Sequence, residues 1–264
     1  TLDGGWYSGA VTDNGDDTAS VTFASVATAG ETITSLANAG TGTATLGTVS
    51  AGVAEVLAET GVMGVTNGAI DINGTTSGDD ALTTVTMTNY ASAAIDSDVL
   101  TTLNATGSAG AAIVTTASTG AMTINADDLA SGSQISLDGT AATVKTVTLN
   151  VGANDFTGDL VASAATALTI NATGDFTSEN ATDIDAVKTL KVTGAGAVDL
   201  GTVGTGLPGS ATSIDASTNT GGLTITYGSD TGTVTTGSGD DVITTDSETI
   251  SKAVDLGAGD DTYV

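Results

Sequence analysis

Apolar and polar residues alternate in short runs along this chain, and the runs return at a nearly constant interval. Ala19-Ser-Val-Thr-Phe23 and Glu31-Thr-Ile-Thr-Ser-Leu36 show the period of two expected of half-buried strands, with Gly, Asn and Thr between them as turns. From residue 81 the apolar centres Leu82, Leu103, Ile124, Val147, Leu168, Leu190, Ile214 and Val234 follow one another at a spacing that hardly varies. Local sequence supports the frame. Val144-Lys-Thr-Val-Thr-Leu149 recurs two intervals on as Val187-Lys-Thr-Leu-Lys-Val192, and Ala167-Leu-Thr-Ile-Asn-Ala-Thr-Gly-Asp-Phe176 overlays Thr189-Leu-Lys-Val-Thr-Gly-Ala-Gly-Ala-Val198. Short strands repeated at twenty-odd residues between Gly, Asn and Asp turns predict an all-β chain folded as a parallel β-solenoid. A β-sandwich accounts for the strands but predicts no constant period.

Three segments follow from this pattern. Residues 1–80 read as an irregular β-rich segment, 81–235 as solenoid rungs of about 20–24 residues, and 236–264 as a final pair of glycine-rich turns. The one helix expected is Gly52–Thr60, with Val53, Val56 and Leu57 on one face and Gly61 as its stop. Trp6 and Tyr7 are expected in a core. Pro208, in Gly204-Thr-Gly-Leu-Pro-Gly209, reads as a loop excursion. Threonine and valine favour strands, and Ala, Val, Ile and Leu can fill a narrow interior, so a chain with only 3% aromatic residues can still pack.

Charge removes several classes of function. The 264 residues carry a net charge of −27, with four lysines (Lys145, Lys188, Lys191, Lys252) and no arginine. Nucleic acid is excluded as a partner because phosphate binding needs clustered cations, and anionic membranes are disfavoured for the same reason. Acidic chains with few aromatics are often disordered, but a hydrophobic fraction of 39% and the regular apolar spacing argue for a folded chain. Its carboxylates would repel one another in the compact state, so a neutralising cation is expected to be part of the fold. There is no cysteine for a disulfide or a thiolate, and no apolar run long enough to insert in a membrane as a helix. The absence of histidine removes the HExxH zinc site, the Ser-His-Asp triad and Cys-His pairs. A carboxylate pair is the remaining catalytic option, with Asp183 and Asp185 or Asp96 and Asp98 spaced to share a strand face. Solvated acidic turns explain these pairs as well, so no enzyme and no catalytic residue is expected.

The remaining chemistry lies in five Asp-Asp pairs, at 16–17, 79–80, 127–128, 240–241 and 260–261. The last two sit in full glycine turns, Thr236-Gly-Ser-Gly-Asp-Asp-Val-Ile-Thr244 and Leu256-Gly-Ala-Gly-Asp-Asp-Thr-Tyr-Val264. Glycines at 237, 239, 257 and 259 open backbone angles that would turn carbonyl oxygens inward on one point, the oxygen-rich shell that calcium takes. Asp241 and Asp261 would supply charged ligands, while Ile243 and Tyr263, two positions on, would point into the interior. Gly15-Asp-Asp and Gly78-Asp-Asp are degenerate copies of the same unit, and Asp127-Asp128 reads as an ordinary acidic turn.

Both nonapeptides fit the pattern G-G-x-G-x-D-x-U-x of RTX repeats. Together with Thr/Val/Gly-rich rungs such as Leu82-Thr-Thr-Val-Thr-Met-Thr-Asn89, they resemble the C-terminal regions of RTX-type bacterial surface-layer proteins. The motif match covers eighteen residues and the rung resemblance covers 81–264. The resemblance implies a secreted calcium-binding protein, exported by a type I machine without a cleaved N-terminal signal. Its copies would tile the cell surface as a structural lattice, with cell-surface polysaccharide engaged through regions outside this chain. An RTX adhesin or biofilm-matrix protein that binds glycan or a host surface is the alternative. Carried over, the resemblance makes Asp241 and Asp261 side-chain Ca2+ ligands, gives the turns to the backbone of Gly237, Gly239, Gly257 and Gly259, and has Asp240 and Asp260 act through their carbonyls. Thr236 and Leu256 stand where the family prefers glycine. The motifs also begin far apart, at Thr236 and at Leu256, rather than in tandem, so the turns are expected to be isolated, the second one completed by chain beyond Val264.

Overall fold

The computed structural model describes residues 12–13, 19–22, 43–48, 53–57, 60–73, 81–96, 100–108, 110–115, 120–137, 144–179, 184, 186–201, 211–227, 232–245 and 253–264, the strands before residue 84 through their backbone pairing alone. Among these residues every regular element is a strand. The strands form two strips that face each other across a narrow core. From residue 146 on, the first strip stacks Thr146–Val151, Ala167–Ala172, Thr189–Gly194, Ser213–Asn219, Thr233–Thr235 and Ala253–Asp255. The second stacks Phe156–Val161, Phe176–Thr177, Val198–Asp199, Leu223–Tyr227, Val242–Thr245 and Thr262–Tyr263. Neighbours within each strip pair in parallel. One strand from each strip makes a rung, and the chain climbs rung by rung as a β-solenoid.

Upstream the same parallel pairing continues through Thr102–Ser108 and Ala111–Thr115, while Ala121–Ser136 and Ala81–Asp96 each run through both strips. It extends further to Thr60–Asn73, Val53–Leu57 and Thr43–Thr48. Val53–Leu57, within the segment expected to be helical, is therefore a strand, paired with Ala69–Asn73. A nine-residue amphipathic pattern is too short to hold a helix by itself, and a ladder already running alongside satisfies the backbone of the β-branched segment better.

The sequence overlays hold residue for residue. Thr146 pairs with Ala167 and Ala167 with Thr189, and Phe176 pairs with Val198. The centres Val147, Leu168, Leu190, Ile214 and Val234 lie in one column that continues to Val254. Leu103 meets Ile124 as expected, but the steps on either side slip. Val147 lies against Met122, Ile124 lies against Leu149, and Val85 rather than Leu82 faces Leu103. The two-residue slip at Met122 keeps every side chain on its own face of a strand, so hydrophobic alternation does not reveal it, while the three-residue offset at Val85 goes with a register irregularity between Leu82 and Thr84.

Inward positions build one continuous core from Val85 to Ile243, in which Phe156 and Phe176 stack with centroids 4.9 Å apart. The outward face of the first strip carries an asparagine ladder. Asn104 donates to Thr86 Oγ1 at 2.9 Å, Asn125 to Asn104 at 2.6 Å, Asn150 to Asn125 at 2.7 Å and Asn171 to Asn150 at 2.7 Å, and Thr193 donates to Asn171 at 2.7 Å. Each amide thus ties its rung to the one before. With only one face of the strip buried, a ladder of this kind adds to the specification of register that backbone pairing provides.

Candidate functional site

The corner where the first strip passes into the second is built from glycine. A Cβ on Gly196 would collide with the carbonyl oxygen of Gly174, and one on Gly257 would collide with that of Gly237. The rungs therefore touch backbone to backbone at this corner, and only glycine allows so close an approach. The turns at 236–244 and 256–264 are two steps of this column. The stretch of chain from one to the next amounts to one complete rung, since Val242 pairs with Thr262 and Ile243 with Tyr263. The expectation of isolated turns is corrected by this register: the second turn lies directly on the first.

Contacts between the two turns are dense. Ala258 N donates to Gly237 O at 2.8 Å, Thr262 N to Asp241 O at 2.7 Å and Thr236 Oγ1 to Leu256 O at 2.6 Å. Thr236 is buried and Leu256 packs against the core, so the two residues that depart from glycine serve the stack. Ile243 is fully buried and Tyr263 packs against the core, as the strand period requires. Asp240 Oδ1 accepts from Asp260 N at 2.9 Å, so the side chain of Asp240 is engaged with the next rung.

Asp241 stands apart from the other acidic residues. Thr224 pairs with Val242, which places Asp241 level with Leu223, in the inward column formed above it by Leu129, Phe156, Phe176 and Val198. A carboxylate thus occupies a core position, 1% exposed. Its Oδ1 accepts from Leu223 N at 2.6 Å, and its Oδ2 is buried with no hydrogen-bond partner. Below it, Asp261 Oδ1 accepts from Asp241 N at 3.0 Å. An unsatisfied buried carboxylate oxygen costs several kcal/mol (about 1–3 for the lost hydrogen bond, more for the charge) unless a cation or donor meets it.

The carboxylate oxygens of Asp241 and Asp261 are the ligand type that suits a hard cation such as calcium. Among the described residues no three of His, Cys, Asp and Glu converge as a side-chain cluster. The glycines alone do not mark a cation site, because Gly174 and Gly196 stack closely, backbone on backbone, on rungs whose inward residue is apolar.

Upstream acidic residues have a different task. Asp127 Oδ1 accepts from Asn154 N at 2.8 Å, Asp155 Oδ1 from Asp175 N at 2.9 Å and Asp175 Oδ1 from Ala197 N at 2.8 Å. Each caps a backbone N–H of the following rung. The turn expected at Asp127-Asp128 is a bend inside Ala121–Ser136, with Asp128 in the left-handed region at φ 55°. Asn219, buried in the same corner, donates to Gly194 O and Gly196 O and accepts from Gly222 N. The pairs 16–17 and 79–80, Asp98, Asp183, Asp185, Trp6, Tyr7, Pro208 and Lys252 lie outside the described residues, and Asp96 is described only as the end of a strand.

The asparagine ladder and the inward placement of Asp241 escaped sequence reasoning. Both had a signal: Thr-Leu-Asn at 102–104 and 148–150 and Thr-Ile-Asn at 123–125 and 169–171 repeat one triplet, and Asp-Phe at 155–156 and 175–176 marks the column that Asp241 enters. The chain matches no protein-family model, no curated protein and no solved structure.

Proposed function

We propose that this chain is a calcium-dependent, self-assembling structural module of an extracellular bacterial surface layer. The observation that carries the reading is Asp241, a carboxylate set in the core column with one oxygen left without a partner. Asp241 and Asp261 would hold the ion with carbonyls of the glycine turns, and the ion would neutralise charge where a chain of net charge −27 folds most tightly on itself. Outside the cell, where calcium is abundant, binding would stabilise the last rungs by mass action. A β-solenoid whose sequence has no histidine suits a scaffold better than a catalyst.

The test is thermal melting of the chain with calcium and with chelator, beside calorimetric titration and electron microscopy. Binding heat, a higher melting temperature in calcium and ordered sheets are expected. Equal melting in both buffers with no heat would sink the calcium reading, and dispersed particles that bind glycan would move the function to an adhesin.

A further inference from the structure

Among the described residues two of the chain's four lysines share one edge. Lys145 and Lys188 each stand one residue before a first-strip strand, at positions brought into register by the pairing of Thr146 with Ala167 and of Ala167 with Thr189. They are thus two rungs apart on the same edge, about 9–10 Å at the usual strand separation. Both are exposed, as is Lys191 on the same strip; Lys145 Nζ makes a long hydrogen bond of 3.3 Å to Ala164 O. Among the described residues the others in this column, Gly120, Thr166, Thr212 and Gly232, carry no charge.

The opposite edge of the strip, about 20 Å away along six-residue strands, is the glycine corner, and it is acidic. Asp128, Asp155 and Asp175 each precede residues paired rung to rung, Leu129 with Phe156 and Phe156 with Phe176. All three are exposed. Asp155 and Asp175 each commit Oδ1 to the next rung. Asp128 and Asp175 are two rungs apart, the same interval as Lys145 and Lys188.

We propose that the lysine edge of one copy docks against the acidic corner of the next. This rests on the self-assembly reading above and names the surface it would use. Two copies of a strongly acidic chain repel over most of their surface, and the four lysines offer few places where approach is favourable. A neighbour with parallel axis, displaced by one rung, sets both described edge lysines opposite carboxylates at matching intervals. The contact joins different surfaces of the two copies, so it leaves a free lysine edge at one end and a free acidic corner at the other, and it propagates as an open row.

The test uses the full chain in calcium and reads assembly by sedimentation and electron microscopy. The pair Lys145→Glu and Lys188→Glu, and separately Asp128→Lys and Asp175→Lys, should each raise the concentration needed for assembly about tenfold, the sum of two exposed ion pairs. Mixing the two variants should restore assembly, because each then presents the charge the other lacks. Asp128→Asn with Asp175→Asn removes charge while keeping the left-handed backbone at 128 and the cap at 175, and should weaken assembly with melting unchanged. Variants that assemble like the parent, or a mixture that gains nothing over its parts, would overturn the proposal while leaving calcium binding intact. A parent chain that stays monomeric at every calcium concentration overturns this proposal and the lattice reading together, whereas absence of calcium heat with assembly intact overturns the calcium reading alone.

Discussion

In the rungs between Thr146 and Asp199 the corner is filled from inside by Phe156, Phe176 and Val198; in the rungs between Leu223 and Tyr263 the same column passes from Leu223 to Asp241 and Asp261. The backbone hardly notices. Glycine stacks on glycine and strands pair in parallel in both regions. One inward position has changed its chemistry, from a benzyl group in contact with another to a carboxylate with an empty oxygen. The fold can therefore turn this corner by apolar packing alone, and a requirement for a cation would be confined to the rungs where aspartate enters the core.

Four measurements would break or sharpen that contrast. Phe156→Ala removes one half of the stacked pair in the apolar part of the column and should cost about 3–5 kcal/mol in denaturant unfolding, equally with calcium and with chelator. Asp241→Leu makes the lower column resemble the upper. In chelator it should stabilise the last rungs by about 1–3 kcal/mol, the desolvation cost of the unpaired oxygen, and calcium should no longer raise their stability. Amide exchange at Ile225 and Ile243 reads this locally; faster exchange in chelator than in the parent would refute the core placement of that cost. Asn150→Ala interrupts the ladder between Asn125 and Asn171 and should cost about 1 kcal/mol, because the position is only half-buried.

The smallest effect concerns Tyr227. Burial first, and then its 2.9 Å contact with the hydroxyl of Tyr263, push its phenol above the ordinary value of 10.0. The folded state then holds this proton more tightly than the unfolded state. The contribution is complete below pH 10 and is lost as pH rises beyond it. Tyr227→Phe should flatten the alkaline limb of a stability profile, and an unchanged limb would place the pH dependence elsewhere.

The solenoid was legible because its signal is long-range and redundant. The overlay of 167–176 on 189–198 needed nothing beyond residue identities, and the pairing of Phe176 with Val198 bears it out. What escaped was set by phase rather than period. Met122 and Ile124 lie two positions apart on one face of their strand, so Val147 can be set against either without turning a side chain outward, and the alternation that both alignments satisfy hid the true partner. The inward placement of Asp241 was hidden for the same reason. Read as the sixth residue of a turn it belongs to a loop, and only its level with Leu223 shows it in the core. The separation of the two turns likewise looked like distance in the chain and is contact in space.

The asparagine ladder runs in one sense. Every donor from Asn104 to Thr193 points to the preceding rung, and every acceptor receives from the following one. Amide dipoles set head to tail add along the axis and polarise one another. The outer face of the first strip therefore carries an electrical polarity of its own, and the two ends of the rod are distinguishable by field as well as by shape. In a row of such rods, parallel and antiparallel neighbours would differ in energy before any side chain on their edges had met.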